Sequence, residues 1–449
     1  MPAVYRIPLI FLFQLNRISK TMQRNKIVLH HHFQLVLTSL CVGLFCSLLA
    51  FSLKHLTEYF EEEFFHLAGT SLSLLYIVLP CIGITIIYFL RRYLFRNKKN
   101  KGITEIYKTL DHRKDHLPLF KIPSHYLNGF LTVIFGGSTG IEVSTVVATA
   151  TVGNVAYKKE FAAKMYKREL VCAGVTAGVS VLFGSPLVGW LFAMEVIAKK
   201  TRKSLLISCT TAAVISGLFI FLFDKQPLLP FQVEQWRWSA VPFFLLLSLL
   251  GGALSVYFTL TVIHIKAFFA KMNDNLVRVM LGALLVGISL FFLPFLYGDS
   301  YHGLSKMLAQ SIGNHPVSPG LLLLLVLLKP IVSSLTLGAG GDGGVFAPSI
   351  VTGALLGLLF AVCCNNWLGT TLIPLNFALA GAAATLSSAI YAPLTALFLV
   401  CNIVPNGYSL FFPLLIGSYT AKLFSQYLLP YNVYTYDFYR KETNPVSEA

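Results

Sequence analysis

Glu142 stands among aliphatic residues in Gly140-Ile141-Glu142-Val143-Ser144, where the glycine-rich stretch beginning Gly136-Gly137-Ser138-Thr139 runs into an apolar segment. Burying a carboxylate in hydrocarbon costs several kcal/mol unless it is paired, protonated or facing water. A helix N-terminus relieves that cost, because its unpaired N–H groups and positive dipole end hold negative charge. The same donors can hold a small free anion. Competition between the tethered carboxylate and such an anion would make Glu142 a gate; the plainer alternative is a helix-capping acid near a surface.

A second glycine run, Gly340-Gly341-Asp342-Gly343-Gly344-Val345-Phe346-Ala347-Pro348, also leads into an apolar segment. Glycines allow close backbone approach, and Pro348 suits the first turn of a helix, where a missing N–H does no harm. The Val345 and Phe346 amides are then free to point at an anion. Close helix packing through small residues is the competing explanation. No Lys-Ser or Lys-Thr follows the glycines, so a phosphate-binding loop does not fit. Asp342 would repel an anion, and we place it at a vestibule mouth or in a loop turn. Each run is followed by a Pro-Leu pair, Pro186-Leu187 and Pro393-Leu394. Glycine-broken apolar segments at corresponding positions of two halves point to a binding site near a bilayer midplane.

The elements that must hold these residues are membrane helices. Of 449 residues, 55% are hydrophobic and 12% charged, which leaves too little polar surface for a water-soluble globule of this size. Stretches 34–54, 69–90, 241–263, 278–296, 319–337 and 408–428 each approach the length of about 20 residues that spans hydrocarbon. Stretches 143–156, 186–197 and 392–403 are too brief to cross alone and read as half-helices buried within protein. We therefore expect an all-α polytopic membrane protein. Its expected parts are an interfacial N-terminal helix (1–30), two membrane halves (31–230 and 231–440) and a cytoplasmic tail (441–449). The first 30 residues mix apolar and basic side chains without a small-residue cleavage site, which argues against a signal peptide.

The net charge of +16 collects at 91–101, 113–121, 158–168 and 199–203, in short loops between apolar segments. Membrane anchoring explains this placement better than a nucleic-acid partner, and it turns these loops and both termini to the cytoplasm. The eight cysteines lack metal-ligand spacing, and the His30-His31-His32 run has no second ligand cluster. No nucleophile and base pair, metal cluster or cofactor motif suggests an enzyme, and no cofactor or metal is expected.

Four segments together resemble the CLC family of chloride channels and proton-coupled chloride antiporters: Gly140-Ile141-Glu142-Val143-Ser144; Phe183-Gly184-Ser185-Pro186-Leu187-Val188-Gly189-Trp190-Leu191-Phe192-Ala193-Met194-Glu195; Gly343-Gly344-Val345-Phe346-Ala347-Pro348; and Tyr391-Ala392-Pro393-Leu394-Thr395. Tyr297-Gly298-Asp299-Ser300-Tyr301 is a weaker landmark between them, and the resemblance covers roughly 30–440. It implies a CLC-type inverted repeat of tilted and broken helices, a homodimer in membrane lipid, and an anion path in each subunit. By resemblance Glu142 is the gating glutamate, the Val345 and Phe346 amides are anion donors, and the Tyr434 hydroxyl meets the central anion. Gly102 and Ile103 fall in the family's other anion-binding segment.

Departures from the family pattern shape the expected mechanism. Lys101 replaces the serine that would bind the central anion. Its ammonium could deepen the anion well or pair with Glu142, or it could snorkel to the cytoplasmic mouth, the placement we favour. Ile141 and Val143-Ser144 replace the arginine and the glycine-proline around the gate. Val196 occupies the position of the internal acid of proton-coupled members and cannot relay a proton; neighbouring Glu195 aligns elsewhere. These features suggest chloride transport gated by Glu142, leaning to a passive channel, in a bacterial inner membrane. A proton-coupled chloride or fluoride antiporter is the alternative, and a non-transporting scaffold a further one.

Overall fold

The structure is a computed structural model that describes residues 9–443 except 71–72, 99, 101, 113–114, 163–164, 226, 234 and 314–316, with side chains described from Val28 to Arg440. Lys101 therefore lies outside the described residues. Among the described residues there are 17 α-helices and no β-strand. Seven helical spans are long and apolar enough to cross a membrane, and the chain is an integral membrane protein.

α1 (Leu9–Thr70) is continuous, and α2 (Leu75–Phe89) ends in a π-helical turn, Leu90–Leu94. α3 (Ile103–Asp111) and α4 (Lys121–Ile134) lead to α5 (Glu142–Lys158), which begins at the candidate gate. α6 (Lys167–Leu182), α7 (Pro186–Phe192) and α8 (Lys203–Phe223) complete a first set. A second set runs through α9 (Val241–Ala270), α10 (Asn275–Phe292), α11 (Tyr301–Ile312), α12 (Pro319–Ala339), α13 (Phe346–Leu368), α14 (Pro374–Ile390), α15 (Pro393–Ile403) and α16 (Phe411–Leu428), followed by α17 (Tyr436–Thr443). The long-span expectations shift in three places. Lys203–Phe223 and Phe346–Leu368 join the spans, whereas 408–428 folds as a short 3-10 turn followed by α16, whose Lys422 lowers its apolar character.

Burial divides these helices as their sequences do. α14 is buried at every position from Leu375 to Ile390, and the first ten residues of α5 are all buried, as fits helices apolar or small on all sides. α10 instead exposes Leu276, Val277, Met280, Leu281, Leu284 and Ile288, a face suited to lipid.

The two sets repeat one another. Thr132 and Thr336, Gly136 and Gly340, and Gly140 and Gly344 are each 204 positions apart; Leu170 and Phe377, and Gly174 and Gly381, are 207 apart. Their packing repeats too. A methyl group on Gly153 would strike the Leu170 carbonyl, and one on Gly357 would strike the Phe377 carbonyl. Gly174 meets the Thr149 carbonyl as Gly381 meets that of Gly353. Small residues thus bring α5 onto α6 and α13 onto α14 at backbone contact, where dispersion and close fit replace the hydrophobic effect that lipid cannot supply.

Three of the basic segments meet on one face. The Arg168 guanidinium donates to the Ala198 carbonyl at 2.7 Å and to the Leu110 carbonyl at 3.1 Å. The Lys167 ammonium donates to the His112 carbonyl at 3.1 Å and also to that of Asp115. α4 starts on this face with Lys121 paired to Glu105, and α8 runs from it to the opposite one, where Asp224 meets Lys54.

Gly357→Val is expected to separate α13 from α14 and cost about 1–3 kcal/mol through overpacking. Thermal unfolding in detergent measures this, and an unchanged midpoint would contradict the packing described.

Candidate anion site

The two glycine runs cross at the centre of the molecule. After α4 and α12, Gly136 (φ 83°) and Gly340 (φ 113°) take left-handed conformations that a side chain would strain. Each turn closes on its own helix, Gly137 N–H donating to the Thr132 carbonyl at 2.7 Å and Gly341 N–H to the Thr336 carbonyl at 2.9 Å. The threonine hydroxyls then serve the other half. Ser138 N–H donates to Thr336 Oγ1 at 3.1 Å, and Asp342 N–H to Thr132 Oγ1 at 2.9 Å. An antiparallel bridge between Gly140 and Gly344 completes the crossing. It sets the N-termini of α5 and α13 against each other.

Glu142 is buried, and its carboxyl folds back over Gly140, where a methyl group would overlap it. The carboxylate faces the backbone N–H groups of Glu142 itself and of Ala347, and Oε2 has no hydrogen-bond partner among the described residues. Val345 N–H donates to the Tyr434 hydroxyl at 3.4 Å, and the Phe346 and Tyr434 rings lie 6.0 Å apart. α3 enters from the other side: Gly102 caps it against the Val143 side chain, Ile103 is buried in its first turn, and Thr104 Oγ1 donates to the Tyr434 carbonyl at 3.4 Å. The fold therefore gathers Gly102, Ile103, Glu142, Val345, Phe346 and Tyr434 around three helix starts.

The departures from the family pattern also find places. Ile141 packs with Leu53, Val133 and Leu182 in an apolar cluster. Val196 is buried among apolar side chains. Glu195 caps α15 from the other half, accepting from Leu394 N–H at 3.3 Å, Thr395 N–H at 2.8 Å and Thr395 Oγ1 at 2.7 Å. Asp342 lies in the turn between α12 and α13, as one of the two expectations had it, but the turn is buried, with Asp342 Oδ2 2.9 Å from His125 Nδ1.

Sequence reading missed three further groups. The Ala347 amide faces Glu142, one residue beyond the pair expected. Lys329, wholly buried, donates to Ser138 Oγ at 2.8 Å, Ser300 Oγ at 2.5 Å and the Gly298 carbonyl at 3.4 Å. His125 is wholly buried on α4. Lys329 and His125 are 204 positions apart, so aligning the two repeats would have singled them out together. Beyond Lys329, on the face opposite the basic loops, a cavity of about 930 Å³ is lined by Lys54, Glu58, Glu61, Asp224 and Asp299 among others.

The voltage gated chloride channel family matches this chain over residues 82–426, most of its length. The chain belongs to that family. Among its relatives, the H(+)/Cl(-) exchange transporter ClcA of Vibrio cholerae serotype O1 (strain M66-2) is 28% identical over 367 residues, covering 80% of this chain and 77% of the relative. The protein of the same name from Yersinia pestis bv. Antiqua (strain Angola) is 29% identical over 273 residues, covering 58% and 56%. The fold is similar to that of a slow cyanobacterial Cl−/H+ antiporter, with TM-score 0.77 and 20% identity over 93% of this chain and 99% of that one. A CLC-type fluoride/proton antiporter gives TM-score 0.71 and 23% identity over 89% and 96%.

Replacing Glu195 with alanine uncaps α15 and is expected to cost about 1–2 kcal/mol of stability. Unfolding in detergent should show a lower midpoint for Glu195→Ala than for Glu195→Gln, which keeps one acceptor; equal midpoints for both and the wild type would contradict the cap.

Proposed function

We propose that this chain exchanges a small anion, chloride foremost, for protons across a membrane, with Glu142 as the group that both species address. The observation that carries the reading is the buried Glu142 carboxyl facing the backbone N–H groups of Glu142 and Ala347 where the N-termini of α5 and α13 meet. Protonation removes its charge and its hold on those donors, and an anion can then take its place. Tyr434 and the Val345 and Phe346 amides continue the path inward. Amides and a phenol bring no net charge, so an anion can bind there and still leave.

The lean to a passive channel rested on Val196, and it gives way here. The curated relatives are named as H(+)/Cl(-) exchange transporters, and Val196 removes only one route for a proton, not the acid at Glu142. Fluoride as the exchanged anion is the second reading, favoured by the similarity in fold to a fluoride/proton antiporter. We further propose a homodimer in a bacterial inner membrane, with the basic face and both termini cytoplasmic.

Purified protein in liposomes tests the exchange. A chloride gradient, or in a second arm a fluoride gradient, should drive uphill proton movement, and anion flux should rise as pH falls. In Glu142→Ala the anion flux is expected to persist, lose its pH dependence and carry at least about 100-fold fewer protons. Anion flux without proton movement in the wild type would contradict exchange.

A further inference from the structure

We infer that the buried His125–Asp342 pair is the proton station between the basic face and Glu142, an inference that rests on the exchange reading above. With Val196 apolar, a proton arriving from the basic face needs another titratable group inside the protein. His125 and Asp342 supply one. They come from different halves, they are buried, and Nδ1 of the imidazole lies 2.9 Å from Oδ2 of the carboxylate.

The surroundings fit that task. His125 is one helical turn inside Lys121, where α4 leaves the basic face. The inferred route from it toward the gate follows polar side chains of α4 and of the first turn of α5. His125 Nε2, Asn128 Oδ1 and Ser144 Oγ are all buried without a hydrogen-bond partner among the described residues. Gly129, one turn after His125, packs on Ser144, since a methyl group there would lie 2.6 Å from Ser144 Cβ. Ser144 is two residues beyond Glu142 on α5. Buried polar groups that lack protein partners take ordered water, and a water held along this route can carry a proton.

The charged groups around the pair come from several other elements. Arg91, in the turn after α2, donates to the Gly340 carbonyl at 2.7 Å and places Nη2 4.0 Å from Asp342 Oδ2. Arg278 of α10 acts on Arg91, and Lys266 of α9 interacts with Asp342 and with Asp437 of α17. On α4 itself Lys121 pairs with Glu105 of α3. None of these cations passes a proton as readily as imidazole, the side chain that titrates nearest neutral pH. In the transfer, Nε2 takes the excess proton of a hydronium carried in on ordered water from the basic face, leaving water and forming an imidazolium balanced by Asp342. It then yields that proton to water beside Asn128 and Ser144, from which it reaches a carboxylate oxygen of Glu142. Only N–H and O–H bonds change.

The test uses the full chain in liposomes, measuring anion and proton flux together under a chloride gradient and, separately, a fluoride gradient. His125→Gln and Asp342→Asn should each lower the proton to anion ratio by about 100-fold while anion flux continues. His125→Gln should also lose the dependence of proton flux on the pH of the basic face. A wild type that moves anions without protons overturns the exchange reading and this inference with it. A wild type that couples, with both variants coupling equally well, overturns this inference alone. Equal loss of both fluxes in both variants also overturns it, because the pair would then serve structure rather than proton movement.

Discussion

The exchange of threonine hydroxyls between the halves is the contact on which the rest of this structure depends. Thr132 serves the amide of Asp342, and Thr336 serves that of Ser138. Each such bond contributes about 1 kcal/mol net, yet leaving either buried amide unpaired would cost about 1–3 kcal/mol. Because the bonds are reciprocal, neither glycine turn can shift without disturbing the other. The Gly140–Gly344 bridge then fixes the starts of α5 and α13 within reach of one carboxylate.

From that crossing the two halves diverge in chemistry. Positions 125 and 329 are related by the repeat, and each side chain reaches across to the other half's glycine turn: His125 to Asp342, Lys329 to Ser138. One half thus presents a titratable imidazole paired with an acid toward the basic face. The other presents an ammonium, with Asp299 and Glu61 close by, toward the cavity on the opposite face. A duplicated backbone thus carries unlike side chains at corresponding positions of its two halves.

Much of this was legible in the sequence because glycine runs and Pro-Leu pairs impose local geometry. Gly136 and Gly340 announce turns that other residues resist, and Pro186 and Pro393 announce helix starts. The amides of Val345 and Phe346 could be read from the glycine run itself, but the place of Gly102 and Tyr434 beside Glu142 was legible only through resemblance, since nothing in the spacing of Tyr434 ties it to Val345, 89 residues earlier. The turn at Asp342 was legible but its burial was not, because its partner, His125, lies in the other half of the chain. Lys329 sits in an apolar run and looks like a lone charge to be avoided; its three oxygen acceptors come from segments that only the folded repeat brings together.

Anomalous diffraction from bromide-soaked crystals of Glu142→Gln tests whether anions bind where the N-termini of α5 and α13 meet. Bromide is expected within hydrogen-bonding distance of the Val345 or Phe346 amide and the Tyr434 hydroxyl, with a second bromide where the wild-type carboxylate faces the Ala347 amide. Bromide bound elsewhere, with none at the meeting of α5 and α13, would contradict that site.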